Sequence, residues 1–144
     1  MMHKASENIK SLYGCLSTAL GGESSDIKAT ILWINGGLYD LIEAYGLASG
    51  VASGSIVTLE IWQGTSSIGA GSKTLTTRST DTFTSTATSD TDLLRCQARG
   101  EDLDVAGGFN WVGAKISTNN TSGTEVVGIV LNGLRARFAQ ATLP

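Results

Sequence analysis

Few residues of this chain have the types and spacing that enzymes use. The only histidine is His3, so a histidine-based triad or a two-histidine metal site has no second member. Four carboxylates could pair as in glycosidases, but such a pair is defined by its separation in space. They are Asp40, Glu43, Glu60 and Asp104. We interpret them as members of solvated strand faces and expect no enzymatic activity, no required metal and no cofactor.

Three other segments resemble ligand-binding loops only superficially. The glycine-rich stretch 64–74 has Ala70 where a phosphate-binding loop needs lysine, and no helix is predicted after it. The acidic stretches 90–92 and 101–104 lack the glycine and the distant glutamate of a calcium loop. We expect a hairpin loop in the first segment and turn-capping carboxylates in the other two.

The three tryptophans, Trp33, Trp62 and Trp111, are candidate contact residues. Trp62 falls on the outward face of a predicted strand, which is typical of a protein interface, with stacking on a ligand or packing against a second sheet as alternatives. Arg135 and Arg137 share one strand face. They either pair with acidic groups of a neighbour or form a solvated edge that discourages strand pairing.

The cysteines and the N-terminus indicate the compartment. Cys15 and Cys96 are too few for a disulfide scaffold, so we expect two reduced, buried thiols, with a single bridge as the alternative. The first ten residues include Lys4 and Lys10 but no apolar segment of about 7–15 residues and no small-residue cleavage site, so they do not resemble a secretory signal. We expect the protein to be synthesised and kept in a cytoplasm.

The composition indicates which fold must position these residues. Of 144 residues, 41% are hydrophobic and 16% are charged, and there are 16 Ser, 17 Thr and 18 Gly. Because threonine favours strands and glycine favours tight turns, we predict an all-β protein. No apolar run reaches the roughly 18 residues of a membrane-spanning helix, and the net charge of −3 gives no attraction to nucleic acid or anionic lipid. We expect no nucleic-acid or membrane partner.

Period-two alternation predicts about eight antiparallel strands in a β-sandwich that resembles a jelly roll. The clearest strand is 56–62, whereas both faces of 38–48 are mixed and leave the inward face undecided. The threonine repeat at 82–88 predicts a strand with one solvated face. The predicted core consists of Val57, Leu59, Ile61, Val112, Ile116, Val127, Ile129 and Leu131.

Turn residues predict two hairpins and the domain boundaries. Asn35-Gly36-Gly37 predicts a tight hairpin turn, and the runs 109–117 and 125–138 predict a long C-terminal hairpin. Residues 1–27 lack a sustained period, so we predict an N-terminal arm or lead-in strand there. The sandwich domain is predicted over 28–139, and residues 140–144 form a C-terminal tail.

Four segments together resemble a known class of proteins, and this similarity of pattern extends over residues 28–139. They are Val-Thr-Leu-Glu-Ile-Trp-Gln (57–63), Gly-Ala-Gly-Ser-Lys (69–73), Gly-Glu-Asp-Leu-Asp-Val-Ala-Gly-Gly-Phe-Asn-Trp-Val (100–112) and Val-Gly-Ile-Val-Leu-Asn-Gly-Leu-Arg-Ala-Arg-Phe-Ala (127–139). Together they resemble small structural proteins of tailed bacteriophages, some of which are capsid cement or decoration proteins. The N-terminal 27 residues are not matched.

The resemblance implies a virion protein that binds the major capsid protein on the capsid surface after assembly in the host cytoplasm. It also implies a homo-oligomer, with a homotrimer as the expected form, since closed symmetry satisfies exposed faces without forming filaments. A neck or tail protein and a carbohydrate-binding module are the alternatives. The predicted interface residues are Trp62, Arg135, Arg137, Lys4 and Lys10.

Overall fold

The computed structural model describes residues 9–16, 33–75, 80–87, 89–119 and 126–136. Within these ranges the regular structure consists of strands and three short 3₁₀ turns, at Gly36–Leu38, Gly100–Asp102 and Val105–Gly107. The nine strands are β1 (Ile9–Leu16), β2 (Trp33–Asn35), β3 (Tyr39–Val51), β4 (Ile56–Gly64), β5 (Lys73–Thr74), β6 (Thr80–Thr84), β7 (Asp90–Arg99), β8 (Trp111–Thr118) and β9 (Val126–Ala136). The all-β prediction is confirmed.

The strands form two antiparallel sheets. Sheet A has the order β1-β9-β3-β7, and sheet B has the order β2-β8-β4, with β5 and β6 both paired to the remaining edge of β4. Except along β4, β5 and β6, each strand lies in the sheet opposite to its predecessor in the chain. This alternation is the two-sheet, Greek-key arrangement of a jelly roll, with β5 as a short addition.

The predicted core is confirmed. All eight residues are buried between the sheets, with Val57, Leu59 and Ile61 fully inaccessible. On β3 the inward side chains are Ile42, Ala44 and Ala48, with Gly46 between the two alanines. A Cβ at Gly46 would lie 3.1 Å from Ile116 Cδ1 and 3.2 Å from Leu59 Cδ1, so the sheets approach closely there. Small residues make this face look mixed in sequence although it is the core face.

Strand β1 lies within the segment predicted as an arm or lead-in strand. It pairs antiparallel with β9 from Ile9 opposite Leu134 to Leu16 opposite Val127, and so forms one edge of sheet A. Sheet A therefore contains residues that precede the predicted domain boundary at Lys28.

Both predicted hairpins are wrong because the chain changes sheets at these points. After Asn35 it passes from sheet B to sheet A through the turn Gly36–Leu38, in which the Asn35 side chain accepts a hydrogen bond from Gly37 N at 3.1 Å. Gly36 is needed for packing, since a Cβ there would lie 2.5 Å from Val112 Cγ2. Likewise β8 belongs to sheet B and β9 to sheet A. Period-two patterns mark inward residues but do not specify which sheet a strand joins.

Candidate functional site: the two outer faces

The outer face of sheet B carries all three tryptophans, and we call it the tryptophan face. Gly113 of β8 lies opposite Trp33 of β2 on one side and opposite Trp62 of β4 on the other. Trp111 of β8 likewise lies opposite Asn35 of β2 and Gly64 of β4. The intervening residues of these strands are buried in the core, so the tryptophans occupy the outward positions, and each is partly exposed. The predicted outward position of Trp62 is thus observed, and two further tryptophans share its face.

Trp62 contacts two oppositely charged side chains. Its indole Nε1 donates a hydrogen bond to Glu60 Oε2 at 3.2 Å, and Lys115 Nζ lies 4.9 Å from the ring centroid. Lys115 lies opposite Glu60 across β4 and β8. The polar atom of the indole is therefore satisfied within the protein, while part of the ring faces solvent.

The β4–β5 loop packs on Trp33. Gly64 and Gly69 touch its indole, and a Cβ at Gly69 would overlap the ring. The loop is closed by hydrogen bonds from Thr65 N to Ala70 O at 3.0 Å and from Ala70 N to Ser66 Oγ at 3.1 Å. The glycine-rich segment is therefore a hairpin loop joining two strands, as predicted, and it leaves Ile68 84% exposed.

The outer face of sheet A contains a polar cluster around Glu43, which is only 8% exposed. Its carboxylate accepts hydrogen bonds from Tyr45 Oη at 3.0 Å, Arg95 Nη2 at 2.6 Å and Gln97 Nε2 at 2.6 Å. Burial alone raises the pKa of Glu43, but the three hydrogen bonds and the Arg95 charge outweigh it, so this pKa lies below its usual range. Burial and the hydrogen bond to Glu43 raise the pKa of Tyr45.

Exposed apolar side chains lie beside this cluster. Leu47 is 48% exposed and faces Leu93, which is 61% exposed, across β3 and β7. On its β9 side, Leu47 lies opposite Gly128. Val126 is two residues before Gly128 on β9 and is 45% exposed. The sequence analysis did not identify this face. Glu43 and Tyr45 on one strand and Arg95 and Gln97 on another show period two, but only the β3–β7 register brings them together.

The other predicted interface residues do not gather at one site. Arg135 is exposed near the end of β9, in sheet A, and thus in the sheet opposite to Trp62. Its φ of 54° is in the left-handed region. Lys10 belongs to β1, and its backbone lies opposite Gly133 of β9. Lys4 and Arg137 lie outside the described residues.

Among the candidate catalytic carboxylates, Glu43 and Glu60 lie on opposite outer faces, Asp40 is exposed near the start of β3, and Asp104 forms an ion pair of 2.8 Å with Lys73. The hydrogen bond from Lys73 and that from Gly107 N lower the pKa of Asp104. Within the part of the chain that the structure describes, no three potential metal ligands cluster, and no helix is long and apolar enough to cross a bilayer.

The remaining acidic residues and Cys96 have structural partners. Asp90 and Asp102 accept hydrogen bonds from Thr86 N and Arg99 N, which agrees with the prediction of turn-capping carboxylates. Asp92 instead lies within β7 and accepts from Leu93 N of the same strand. Cys96 is a free, buried thiol whose Sγ donates to Leu59 O at 3.2 Å, and burial raises its pKa to about 12. This thiol agrees with the prediction for Cys96, whereas the Cys15 side chain is outside the described set.

Neither a protein-family model nor a curated protein matches the sequence. Among solved structures, PRD1 vertex protein P5 is 13% identical with a TM-score of 0.45, over 90% of this chain and 98% of that one. The tripod from the baseplate of bacteriophage Tuc2009 is 10% identical with a TM-score of 0.49, over 94% and 68% of the respective chains. A putative sugar binding protein from Bacteroides thetaiotaomicron is 11% identical with a TM-score of 0.43, over 94% and 86%. Viral and sugar-binding proteins thus both occur among the similar structures, and at these values none assigns the chain to a family.

Proposed function

We propose that this chain is a non-enzymatic structural protein of a phage virion that binds and stabilises the capsid as a cement or decoration protein. Its partners are the major capsid protein and further copies of itself, with a homotrimer as the expected form. The resemblance of residues 28–139 to tailed-phage structural proteins supports the virion role. The tryptophan face supports a role in binding another protein.

The observation that carries the proposal is the environment of Trp62. Trp is enriched at the centres of protein interfaces, where it buries a large apolar surface. Since Glu60 already accepts the hydrogen bond from its Nε1, covering the ring would leave no unsatisfied donor. The carboxylate of Glu60 and the ammonium of Lys115 give the same site a polar rim.

Binding to capsids that lack this protein tests the proposal. We expect purified wild-type protein to co-sediment with such capsids and Trp62→Ala to bind at least about tenfold more weakly, as expected for an interface hot spot. Val105→Ala, which removes an exposed apolar side chain of the turn Val105–Gly107, is the matched control and should bind as wild type.

Cryo-electron microscopy of intact particles determines the location. Density between capsomers supports the cement assignment. Density at the neck or tail would overturn that assignment and leave a virion component, whereas absence of the protein from purified particles would overturn both.

A carbohydrate-binding module is the second candidate, because the structure brings Trp33, Trp62 and Trp111 to one outer face. Aromatic faces on a sheet can stack on sugar rings. Reproducible binding on a glycan array, lost in Trp62→Ala, would favour this candidate over the capsid role.

A further inference from the structure

We infer that Glu60 is a positioning residue of the tryptophan face, whose carboxylate fixes the Trp62 indole in the orientation that the partner meets. This inference rests on the proposed function, in which Trp62 contacts the capsid. It adds a residue that acts through Trp62, by ordering the ring before the partner arrives.

The backbone that carries Trp62 is held in place by the core. Trp62 lies between Ile61, which is fully inaccessible, and Gln63, which is 5% exposed. The Gln63 side chain accepts a hydrogen bond from Asp104 N at 3.0 Å, and β4 pairs with β8 from Val57 to Gly64. The freedom that remains to Trp62 is therefore rotation of its side chain.

The residues directly opposite Trp62 do little to limit that rotation. On the β8 side it lies opposite Gly113, which has no side chain. On the β5 side it lies opposite Thr74, which is short and exposed. Directly opposite side chains are the ones that normally pack against a residue of a sheet. Other side chains therefore set the orientation of this indole.

Glu60 provides a contact with a defined direction. It lies two residues before Trp62 on the same face of β4, a separation of about 7 Å, and its Oε2 accepts from Trp62 Nε1 at 3.2 Å. Because an indole has a single donor, this hydrogen bond selects the edge of the ring that faces Glu60. Lys115 Nζ instead lies over the ring, 4.9 Å from its centroid, and such a contact leaves the ring free to turn in its own plane.

Order in the free protein strengthens binding. A side chain that is already fixed loses no conformational entropy on association, and ordering one side chain corresponds to about a threefold to tenfold change in affinity. Loss of the acceptor at Glu60 should therefore weaken binding although every atom of Trp62 is retained.

A pair of substitutions at Glu60 tests the inference with capsids that lack this protein. Glu60→Gln and Glu60→Met both remove the charge, but only glutamine keeps an oxygen that can accept from the indole. We expect Glu60→Met to bind about threefold to tenfold more weakly than Glu60→Gln. In a Trp62→Phe background, which lacks the donor, the two substitutions should bind equally. Glu101→Met, at a 65% exposed carboxylate in the turn after β7, is the control and should bind as wild type.

Nuclear magnetic resonance of the unbound protein provides the second measurement. Each tryptophan gives one indole N–H signal, and the signal that is absent in Trp62→Phe belongs to Trp62. We expect the heteronuclear nuclear Overhauser effect of this signal to fall in Glu60→Met and to be retained in Glu60→Gln, since the free ring moves on the picosecond to nanosecond timescale. A merely structural contribution of Glu60 would change the stability of the fold and leave the order of this indole as it is.

The outcomes separate the positioning role from the capsid role. Wild-type protein that does not bind capsids would overturn both. Wild-type binding with equal losses in Glu60→Gln and Glu60→Met would show that Glu60 contacts the partner through its own charge, and would overturn the positioning role alone. An unchanged Trp62 signal in Glu60→Met would do the same. Glu60 is partly exposed on the outer face, so we expect both variants to fold, and Glu60→Leu replaces Glu60→Met if circular dichroism shows otherwise.

Discussion

A polar side chain that is shielded from water needs hydrogen-bond partners within the protein. Glu43 is the clearest case, because a carboxylate with 8% exposure keeps its charge through three donors on its own and a neighbouring strand. Removing one hydrogen-bond partner from such a group lowers the stability of the fold by more than an ordinary hydrogen bond contributes to it, because the remaining groups stay desolvated. The cluster is therefore sensitive to the protonation of Glu43.

Glu43→Gln should lower stability at neutral pH by about 1–3 kcal/mol, because an amide cannot accept from all three donors and carries no charge opposite Arg95. The folded-state pKa of Glu43 lies below the ordinary glutamate value of 4.5, so the ionised carboxylate stabilises the fold above that pH. This contribution is lost as the pH falls through the folded-state pKa. Urea unfolding of both proteins from pH 7 to pH 3 should therefore show their difference shrinking below about pH 4.5.

The matched control for this prediction is Glu101→Gln. Glu101 pairs with Arg99 at 3.1 Å, but both side chains are 65% exposed, and such surface pairs contribute about 0–1 kcal/mol. A difference between wild type and Glu43→Gln that does not change with pH would contradict the assigned role of the Glu43 charge.

A substitution at Gly69 tests whether the β4–β5 loop packs on Trp33. Its φ of 72° is strained for alanine, and a Cβ would also overlap the indole. Gly54 has a φ of 81° but no atom within 4 Å of an added Cβ, so Gly54→Ala measures the backbone cost alone. We expect Gly69→Ala to lose at least about 1 kcal/mol more than Gly54→Ala in urea unfolding. Equal losses would show that the loop does not press on Trp33.

At the scale of elements, β7 shows how an edge strand of this sandwich is protected. Asp81 of β6, in sheet B, accepts from Arg95 N of β7, in sheet A, at 2.8 Å, and also from Thr82 N at 2.9 Å. One carboxylate thus connects the edges of the two sheets. It also removes an edge donor that another strand could use.

Asp81→Ala should therefore loosen the β6–β7 edge. We expect a loss of about 0.5–1.5 kcal/mol and faster hydrogen exchange at the Arg95 amide, measured by nuclear magnetic resonance. Thr80→Ala changes an exposed residue of the same strand and serves as the control. Unchanged exchange at Arg95 in Asp81→Ala would refute this role of Asp81.

The elements also show what sequence can and cannot predict. Alternation of large apolar residues identified the inward faces of β4 and β9, where Leu59 and Leu131 are buried. It left β3 undecided because its core positions are small residues around Gly46. The partners of β8 and β9 were mispredicted, since neighbours in the chain join opposite sheets. The Glu43 cluster depends on that same long-range register, so its parts were visible in sequence but its assembly was not.

At the scale of the whole molecule, the first and last described strands of the chain pair with each other in sheet A. β1 pairs along its full length with β9, and β9 in turn pairs with β3. The domain predicted from sequence, 28–139, lacks β1. Without it, β9 becomes an edge strand with a row of unpaired N–H and C=O groups, which is a template for aggregation.

Deletion of residues 1–16 should therefore destabilise the protein by about 3 kcal/mol or more, a large share of the roughly 5–15 kcal/mol that stabilises most domains, and should promote aggregation. Deletion of residues 1–8 retains the whole of β1 and is the matched control. Thermal unfolding and light scattering of the two truncated proteins beside the full chain measure both effects. If the protein lacking residues 1–16 unfolds at the same temperature as the control and stays free of aggregates, β1 is dispensable and residues 17–144 are sufficient as a folding unit. If only that protein loses stability, the folding unit begins at β1.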